Sequence, residues 1–377
     1  MKKILVTSTD MMMMQFLVPH VKYLREQGYD VEVACSEVGA RFAEVQSVLG
    51  AETVHKVRLQ RNPLKPSNLK GLSDLKKIIN DGKYDLVWTN EPVMGVMTRL
   101  AAKKARKKGT KVLYMAHGFH FYKGAPLINW LTFYPVEKHL SKYTDDLITI
   151  NEEDFEFAKD KMKAKRVHHI HGIGVNEEKF SKEVSMAERE ELRAKLKLHD
   201  NDFVLFFAGE LNKNKNQIML IETMRDLVKE NPRIKLLLAG DGVLKEHYEN
   251  KIREYKLEEN VHLLGYRNDV PEILKAVDLY VSASKREGFG INLVEAQISG
   301  VPVIASKNRG HKEIIKDHRN GLLFSINSVS ELLIDIRTIK DNEKFRQSII
   351  SAARKSVKAF YIANTLEEFR KIIGGDL

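Results

Sequence analysis

The stretch "FVLFFAGELNKNKNQIMLIETMRDLVKENPRIKLLLAG", residues 203–240, decides the fold of this chain. Two short apolar runs, "FVLFFA" and "IKLLLA", flank a longer segment with helical spacing. Continuous apolar runs of this length are typical of strands that are covered on both faces. A strand, a helix and a second strand in this order predict a parallel pair joined by a crossover helix, and therefore an α/β fold.

The same alternation continues in both directions along the chain. Strand-like runs follow at "VHLLG", "DLYVSAS" and "VPVIAS", and an earlier series comprises "KKILVTS", "DVEVACS", "YDLVWTN" and "KVLYMA". The break between the two series lies near residues 168–200, where "HHIHGIGVNEEKF" leads into the charge-dense "SKEVSMAEREELRAKLKLHD". The length of 377 residues also exceeds what one hydrophobic core usually supports. We therefore predict two doubly wound domains facing each other across a cleft, over residues 1–168 and 169–357.

Composition and charge narrow the class of protein. Hydrophobic residues make up 43% and charged residues 30%, as in a globular protein with full cores. A single cysteine, Cys35, excludes an internal disulfide and favours a reducing compartment. No run approaches the ~18 apolar residues of a spanning helix, so we expect a cytoplasmic protein. The net charge of +11 favours anionic partners.

The segment "RLAAKKARKKGTK", residues 99–111, carries seven cations and no acid. Helical spacing places Arg99, Lys103, Arg106 and Lys107 on one face. This face is either simply solvated, or it meets acidic headgroups or a lipid pyrophosphate. Nucleic acid is not expected as a partner, because no nucleic-acid-binding motif accompanies the charge.

Ligands of doubly wound sheets bind at the carboxyl ends of the strands, so the loops after the strands carry the function. The first of them, within "TSTDMMMMQF", lacks the Gly-x-Gly-x-x-Gly turn of a dinucleotide site, which argues against a nicotinamide dehydrogenase. In the second half a strand ends at Gly209 and a helix begins near Asn216, with Asn214 or Asn216 as cap. Lys213 and Lys215 precede the positive end of this helix, a placement that suits a bound phosphate. The alternative is two exposed lysines on a turn.

The loop "KREGFG", residues 285–290, separates a strand that ends near Ser284 from a helix that starts at 291–292. Gly288 and Gly290 allow close approach of the backbone to a ligand, and the amides at the helix start can receive a diphosphate. Glu287 lies in the loop and Glu295 one turn into the helix. A carboxylate accepts two hydrogen bonds from a vicinal diol, so one acid suits a ribose and the other a sugar. Alternatively, both are solvated charges near a helix end.

The segment "SASKREGFGINLVEAQISGVPVIAS", residues 282–306, resembles the donor-site signature of glycosyltransferase family 4, retaining enzymes of the GT-B fold. The resemblance extends to "GELNKNKNQ", "LLLAGDG", "HLLGYRNDVPEILKAVDLYVSAS" and "GIGVNEEKF". The stretch "AHGFHFYKG" is similar to bacterial exopolysaccharide and capsule members. The resemblance implies a GT-B architecture in which a last helix, near 355–371, crosses back so that residues 358–377 join the first domain.

The resemblance also implies roles for individual residues. Glu287 would contact the donor sugar, Glu295 the ribose and His117 the transferred sugar, while Lys215 would bind the diphosphate. The other implied donor residues are Gly209, Gly265, Tyr266, Arg267, Gly288, Phe289, Gly290, Ile291 and Asn292. Glu210 stands where the family usually has Arg, so Lys213 or Arg286 could supply the second positive charge. No metal or other cofactor is expected, and His168, His169 and His171 are interpreted as hinge or packing residues because they lack metal-site spacing.

In this architecture the first domain holds the acceptor, and we assign Thr9, Asp10, Phe16 and His120 to that side. The loop "DMMMMQF" would open on the cleft, unless Met12, Met13 and Phe16 are core residues of the first helix. The implied reaction moves a sugar from a nucleotide sugar, with UDP favoured by resemblance, to a polyprenyl-diphosphate-linked saccharide. Aromatic residues of "FHFYKGAPLINWLTFYPVEKHL" beside the cations would dock on the inner face of the membrane. A nucleotide-sugar epimerase and a catalytically silent partner subunit are the alternatives.

Overall fold

The computed structural model describes residues 1–37 and 42–374. It divides into two compact units, one of Met1–Ile173 together with the chain from Ala363, the other of Gly174–Ile362. Within the described residues each unit contains one parallel β-sheet, with seven strands in the first unit and six in the second. The α/β prediction is therefore confirmed, and the two domains are Rossmann-like.

The first sheet has the strand order β3-β2-β1-β4-β5-β6-β7. Its strands are β1 (Lys3–Asp10), β2 (Asp30–Ser36), β3 (Val54–Lys56), β4 (Leu86–Asn90), β5 (Lys111–Ala116), β6 (Asp146–Thr149) and β7 (Arg166–His169). Val6 of β1 lies opposite Val33 on one side and Trp88 on the other. The direction of strand order reverses between β1 and β4, and this reversal is the switch point where ligands of such sheets bind.

The second sheet repeats this topology with the order β10-β9-β8-β11-β12-β13. Its strands are β8 (Phe203–Ala208), β9 (Ile234–Ala239), β10 (Val261–Gly265), β11 (Leu279–Ser282), β12 (Val303–Ser306) and β13 (Leu322–Phe324). The switch point of this sheet lies between β8 and β11. The inner residues of the predicted strand "FVLFFA" are buried in the core of this unit, as expected for a strand covered by helices on both faces.

Helices connect successive strands in both units. Those of the first unit are α1 (Met11–Glu26), α2 (Phe42–Leu49), α3 (Ser67–Gly82), α4 (Pro92–Ala101), α5 (Lys103–Arg106), α6 (Leu127–Ser141) and α7 (Glu152–Lys161). They are followed by α8 (Met186–Lys195), α9 (Gln217–Glu230), α10 (Lys245–Glu254), α11 (Val270–Ala276), α12 (Ile291–Ile298), α13 (Arg309–Ile314), α14 (Val329–Asp341), α15 (Glu343–Ser356) and α16 (Ile362–Gly374). Short 3₁₀ helices occupy Ala51–Thr53, Glu177–Lys179 and Val357–Phe360.

The prediction that "DMMMMQF" forms a loop is wrong, because helix α1 begins at Met11, directly after β1. The Asp10 side chain accepts a hydrogen bond from the backbone N–H of Met13 at 3.3 Å, as an N-cap does. Met11 belongs to the core, whereas Phe16 is 43% exposed. The alternative that Phe16 is a core residue is therefore also wrong, while the side chain of Met12 lies outside the described residues.

The predicted basic face of residues 99–111 is wrong at Arg99, which is 0% exposed. Its guanidinium donates a 2.8 Å hydrogen bond to Glu137 of α6 and lies 4.2 Å from the ring centroid of Tyr114. Arg106 is paired with Asp145 at 2.8 Å. Partners distant in sequence thus convert two cations of a predicted surface into structural ion pairs, and helical spacing alone cannot show this.

The unit boundaries differ from the predicted ones by about five residues. Strand β7 completes the first sheet, so the first unit continues beyond residue 168 to Ile173. The predicted single helix over 355–371 is wrong: the range covers the end of α15, the 3₁₀ helix Val357–Phe360 and α16. Tyr361, which precedes α16, has an extended backbone (φ −64°, ψ 143°) that ends the 3₁₀ helix. The chain joins the first unit from Ala363, not from residue 358. Residues 375–377 of the predicted returning segment lie outside the described residues.

Side chains of α16 explain why this helix belongs to the first unit. The Phe369 ring lies 4.2 Å from the Trp88 ring, centroid to centroid, and 5.6 Å from that of His20. The imidazole of His171 lies 2.7 Å from the carboxylate of Glu368. His168, on β7, contacts the Asp146 carboxylate of the neighbouring strand at 2.6 Å.

Candidate active site

The two loops singled out in the second half lie side by side at the switch point of the second sheet. One follows β8 and the other follows β11, and these strands are neighbours. The backbone N–H of Lys285 donates to the carbonyl of Asn214 at 2.8 Å, and the Asn214 side chain donates to the carbonyl of Arg286 at 2.9 Å. These reciprocal bonds hold residues 209–216 against residues 283–290.

Lys215 and Glu287, predicted on these two loops, form an ion pair with 2.6 Å between the ammonium nitrogen and a carboxylate oxygen. Both side chains are mostly buried. The loop before Lys215 is shaped by Asn212, whose side-chain oxygen accepts the backbone N–H of Lys215 at 2.9 Å. The pair thus places a cation and an anion at the switch point, where a charge-assisted hydrogen bond of this length is strong.

The start of α9 has the predicted position but a different role for its cap residue. Asn216 adopts the left-handed conformation (φ 57°, ψ 36°) and makes no capping hydrogen bond. Its side chain instead donates to the carbonyl of Ala283 at 3.3 Å, which adds a further link between the two loops. Glu210 uses its backbone carbonyl to accept from Gln217 at 2.9 Å, and its side chain is exposed.

The start of α12 depends on two small residues. A Cβ atom on Gly290 would lie 3.1 Å from Leu293 and 3.2 Å from His311, and one on Gly310 would lie 2.8 Å from the Glu287 carbonyl oxygen. Gly290 has φ −110°, so its small size and not a positive φ explains its use. Burial lowers the pKa of His311 to about 4, and this neutral ring packs below the loop.

The other residues predicted at the start of α12 make separate contacts. Asn292 donates from its side chain to the carbonyl of Ala208 at 3.2 Å, which ties α12 to the end of β8. Ile291 is the first residue of α12, where backbone N–H groups have no partner within the helix. Phe289 packs on the core with its ring 5.4 Å from that of Phe360.

Glu295 lies in the second turn of α12 and is largely buried. Burial raises the pKa of its carboxyl to about 7, and the charge of Lys179 opposes this shift in part. Its side chain makes no hydrogen bond with any residue in the described part of the chain. A buried carboxyl of this kind carries unused hydrogen-bonding capacity, which a diol ligand can satisfy.

Three of the predicted donor residues, Gly265, Tyr266 and Arg267, lie at the end of β10, at the edge of the second sheet. Gly265 has a positive φ of 65°, which turns the chain at the strand end. Tyr266 is exposed, and Arg267 donates to Asp269 at 2.8 Å. Lys213 is exposed and lines a separate depression of about 360 Å³ with Leu244, His247 and Lys285, so the choice of Lys213 or Arg286 as the second cation stays a prediction.

In the first unit, His117 follows β5 and its Nε2 atom lies 2.9 Å from the side-chain oxygen of Asn90. The Asn90 amide nitrogen donates to the carbonyl of Thr7 at 3.1 Å, which fixes the orientation of the amide. The hydrogen therefore sits on Nε2 of His117, and Nδ1 is left as an acceptor. Burial lowers the pKa of His117 to about 4, so the ring is neutral at pH 7.

The other predicted acceptor-side residues are not equally placed. Thr9 and Asp10 are buried at the end of β1, where Asp10 is ion-paired with Arg61. His120 is half-buried in the loop after β5, with its ring 4.8 Å from that of Phe133. Phe16 is exposed on the second turn of α1.

Sequence reasoning missed Glu91, which directly follows β4 at the switch point of the first sheet. One carboxylate oxygen accepts the backbone N–H of Thr9 at 2.7 Å. Burial raises the pKa of Glu91 to about 7, the proximity of Asp10 adds to this shift, and its hydrogen bond to Thr9 opposes it. The signal was available, because an acid preceding a proline ends the strand "YDLVWTN" where a loop residue can face a ligand.

Two absences complete the description of the site. Over residues 1–37 and 42–374, no three His, Cys, Asp or Glu side chains are grouped so that they could hold a metal ion. Among the helices of the described part, none combines the length and the apolar character needed to cross a membrane.

Comparisons with known proteins identify related sequences and folds. A model described as "Glycosyl transferases group 1" matches residues 188–356, and one described as "Glycosyl transferase 4-like" matches residues 4–151. The Bacillus subtilis (strain 168) protein named "Putative glycosyltransferase EpsD" is 40% identical over 98% of this chain and 96% of its own. An Escherichia coli protein named "UDP-Gal:alpha-D-GlcNAc-diphosphoundecaprenol alpha-1,3-galactosyltransferase" is 28% identical over 93% of this chain and 90% of its own.

Solved structures agree in fold over the whole chain. A crystal structure of Anabaena HepE in complex with UDP and glucose superposes with a TM-score of 0.83 at 21% identity, covering 100% of both chains. Sucrose-phosphate synthase from Thermosynechococcus elongatus superposes with a TM-score of 0.81 at 18% identity, covering 100% of this chain and 99% of the other.

Proposed function

The chain belongs to the group 1 glycosyl transferases with a 4-like amino-terminal domain and a GT-B fold, and we propose that it transfers a sugar from a UDP-sugar to a lipid-diphosphate-linked saccharide with retention of configuration. The observation that carries this proposal is the Lys215–Glu287 pair at the switch point of the second sheet. The pair supplies a cation for a diphosphate and a carboxylate for sugar hydroxyls within one hydrogen bond of each other.

The donor fits the carboxyl edge of the second sheet in three parts. The diphosphate lies between Lys215 and the first N–H groups of α12, where the helix dipole favours an anion. The ribose diol donates to the carboxylate of Glu295. The sugar contacts Glu287, which then exchanges its hydrogen bond to Lys215 in part for hydroxyls of the sugar.

Transfer breaks the bond between the anomeric carbon and the diphosphate oxygen, and the electron pair leaves with UDP. Lys215 and the amides of α12 stabilise the charge that grows on this oxygen. The acceptor hydroxyl attacks from the face that UDP leaves, its oxygen forms the new bond, and its proton passes to the departing phosphate. These fixed positive groups perform the work that a divalent metal does in other enzymes, so transfer should persist in EDTA.

The acceptor is proposed to carry a polyprenyl diphosphate, in line with the printed name of the Escherichia coli relative. Two aromatic residues of the segment expected to dock, Phe119 and Phe121, are buried. Exposed apolar residues of the same segment are therefore the better candidates to meet the lipid. Leu127, Ile128 and Leu131 at the start of α6 are exposed by 71%, 61% and 65%. This helix follows the loop that leaves the carboxyl end of β5, the edge that carries His117.

An exposed apolar helix face flanked by cations suits the interface of an anionic membrane. Lys123 precedes α6, and Lys138 and Lys142 follow its apolar turns. Replacing Leu127, Ile128 and Leu131 together by Ser should abolish flotation with vesicles containing anionic lipid. Ile334→Ser, an equally exposed position on α14, serves as the control. Binding that is indifferent to these substitutions, to anionic lipid and to salt would contradict membrane docking by α6.

The donor is tested by thermal shift with UDP-, GDP- and dTDP-sugars, because a ligand at 100 times its Kd stabilises the fold by ~2.7 kcal/mol. We expect stabilisation by a UDP-sugar alone. The matching UDP-sugar is then incubated with lipid-linked saccharides, with and without EDTA, and the anomeric configuration of the product is read by NMR. An inverted product, or an isomerised donor formed without acceptor, would contradict the proposal, and the latter would favour an epimerase.

Two substitutions connect this activity to the site. Lys215→Ala and Glu287→Gln should each lower turnover by about 10²-fold or more, the scale of losing one preorganised contact to the transition state. Lys355→Ala removes an exposed lysine of α15 and is the matched control. Full turnover of both site variants would remove the ion pair from the mechanism. A wild type that transfers no sugar would instead support the alternative of a silent partner subunit.

A further inference from the structure

The switch point of the first sheet carries a carboxylate that the proposed chemistry does not yet use. Glu91 follows β4, and Thr9 lies at the end of β1, the two strands between which the strand order reverses. The hydrogen bond from the Thr9 N–H to Oε2 of Glu91, at 2.7 Å, spans this point. The Thr9 side chain also hydrogen-bonds this carboxyl. Apart from Thr9, no residue of the described part donates to the other oxygen, Oε1. Ligands of open α/β sheets bind in the crevice at such a reversal.

The backbone of Glu91 adopts a strained conformation that the adjacent residues do not fully explain. Its φ of 65° and ψ of 159° fall in a region that is essentially reserved for glycine. Pro92 accounts for the extended ψ, because a residue before proline is pushed to this range. It does not account for the positive φ. A glycine would relieve this strain, so the glutamate side chain is retained against a local preference, and strain of this kind concentrates at functional sites.

The charged and titratable groups around Glu91 come from four elements. Asp10 at the end of β1 is paired with Arg61 from the loop after β3. Tyr114 and His117 belong to β5 and the residue following it, and His20 of α1 neighbours His117. Burial lowers the pKa of both histidines to about 4 and raises that of Tyr114, so none of these three changes charge near neutrality. The carboxyl of Glu91, by contrast, changes charge near neutral pH, because its pKa is raised to about 7.

We propose that Glu91 binds the attacking hydroxyl of the acceptor, with its second carboxylate oxygen, Oε1, accepting the hydrogen of that hydroxyl. This inference rests on the proposed function and specifies its acceptor site. A hydroxyl that donates its hydrogen to a fixed carboxylate directs an oxygen lone pair away from that carboxylate, so the oxygen is held in an orientation in which it can attack. The neutral His117 offers a second acceptor atom, Nδ1, to an adjacent hydroxyl. Glu91 orients the nucleophile in the bound complex. As the new glycosidic bond forms, the hydrogen bond to Glu91 breaks, and the hydroxyl proton passes to the departing phosphate as described above.

Glu91→Gln is a sharp test because the structure dictates how the amide must sit. The amide oxygen has to accept the Thr9 N–H, so the free position becomes an NH₂ group that donates and cannot accept. At saturating donor and pH 8, kcat/KM for the acceptor should fall at least 10-fold. The thermal shift given by the UDP-sugar and its slow hydrolysis in the absence of acceptor should stay within 2-fold. Glu26→Gln, an exposed acid at the end of α1, is the matched control.

The pH profile separates a binding role from a structural one. With saturating donor, kcat/KM of the wild type for the acceptor should rise from pH 6 to 8 and level off, whereas Glu91→Gln should give a flat profile. Glu91→Gly tests folding separately, since it relieves the strain and should melt no lower than the wild type while transfer is lost. Unchanged acceptor kinetics and an unchanged profile in Glu91→Gln would overturn the inference. A wild type that binds no nucleotide sugar would instead overturn the proposed function.

Discussion

Donor affinity should depend on pH through Glu295. Its carboxyl is about one-tenth ionised at pH 6 and about nine-tenths ionised at pH 8, because burial raises its pKa to about 7. Two hydrogen bonds from a ribose diol require the ionised form, since a protonated carboxyl has one oxygen that donates instead of accepting. Raising the pH from 6 to 8 should therefore tighten binding of a UDP-sugar about 10-fold, or ~1.4 kcal/mol.

Isothermal titration calorimetry at pH 6, 7 and 8 measures this change. The probe is UDP-glucose and not UDP, because a terminal phosphate has a pKa near 6 and would titrate in the same range. Glu295→Gln is the control, since its amide keeps the shape of the side chain and cannot ionise. Its affinity should be nearly constant across this range. Equal pH dependence in the wild type and in Glu295→Gln would refute the assignment of the ribose to this carboxyl.

Three further substitutions test the framework around the site. Arg99→Ala removes the cationic partner of the buried Glu137 and leaves it only the hydrogen bond from Tyr114, so it should lower the free energy of unfolding by about 3–5 kcal/mol in urea titrations; a loss under 1 kcal/mol would mean that water replaces the guanidinium. Gly310→Ala places a methyl group 2.8 Å from the Glu287 carbonyl oxygen, so the backbone of this loop must shift and both turnover and the melting temperature should fall; unchanged turnover would show that α13 can yield. Phe369→Ala should cost about 3–5 kcal/mol, seen in the same titrations, and a smaller loss would indicate that α16 contributes little to the first unit.

Local patterns predicted the parts of this protein that depend on neighbours in sequence. Alternating apolar runs and amphipathic segments were sufficient for two parallel sheets, because each strand is buried on both faces by its own connecting helices. The loops after β8 and β11 were also found, since Lys215 and Glu287 lie where strands end. Their pairing depends on the adjacency of β8 and β11, which doubly wound topology implies and spacing along the chain does not.

The predictions that were wrong or missing concern residues whose partners are distant in sequence. Arg99 looked like one of seven surface cations until Glu137 of α6 was placed against it. Glu91 belongs to no recognisable motif. Its hydrogen-bond partner Thr9 is 82 positions away, and the two meet only because β1 and β4 are neighbours in the sheet. The start of α1 was misplaced because four methionines resemble neither a cap nor a turn. A polar residue directly after a strand at the point of reversal would have been a better guide than composition.

Glu91 and Glu295, one in each unit, make the stability of the fold depend on pH in the same direction. Both are buried carboxyls whose pKa is raised to about 7. Each contributes stability that is complete below about pH 4.5 and is lost as the pH rises through 7. His20, His117 and His311 act in the opposite sense, because their pKa values are lowered to about 4 and their contribution, full above pH 6.5, is lost as the pH falls. The melting profile of the wild type therefore mixes both groups. The double variant Glu91→Gln/Glu295→Gln keeps the histidines, so it should gain roughly 2 kcal/mol per site on the wild type between pH 5 and 8. If the stability of the wild type and of the double variant changed with pH in the same way, neither carboxyl would have the raised pKa that its burial implies. The ionised carboxylates would then need no ligand to supply their hydrogen bonds.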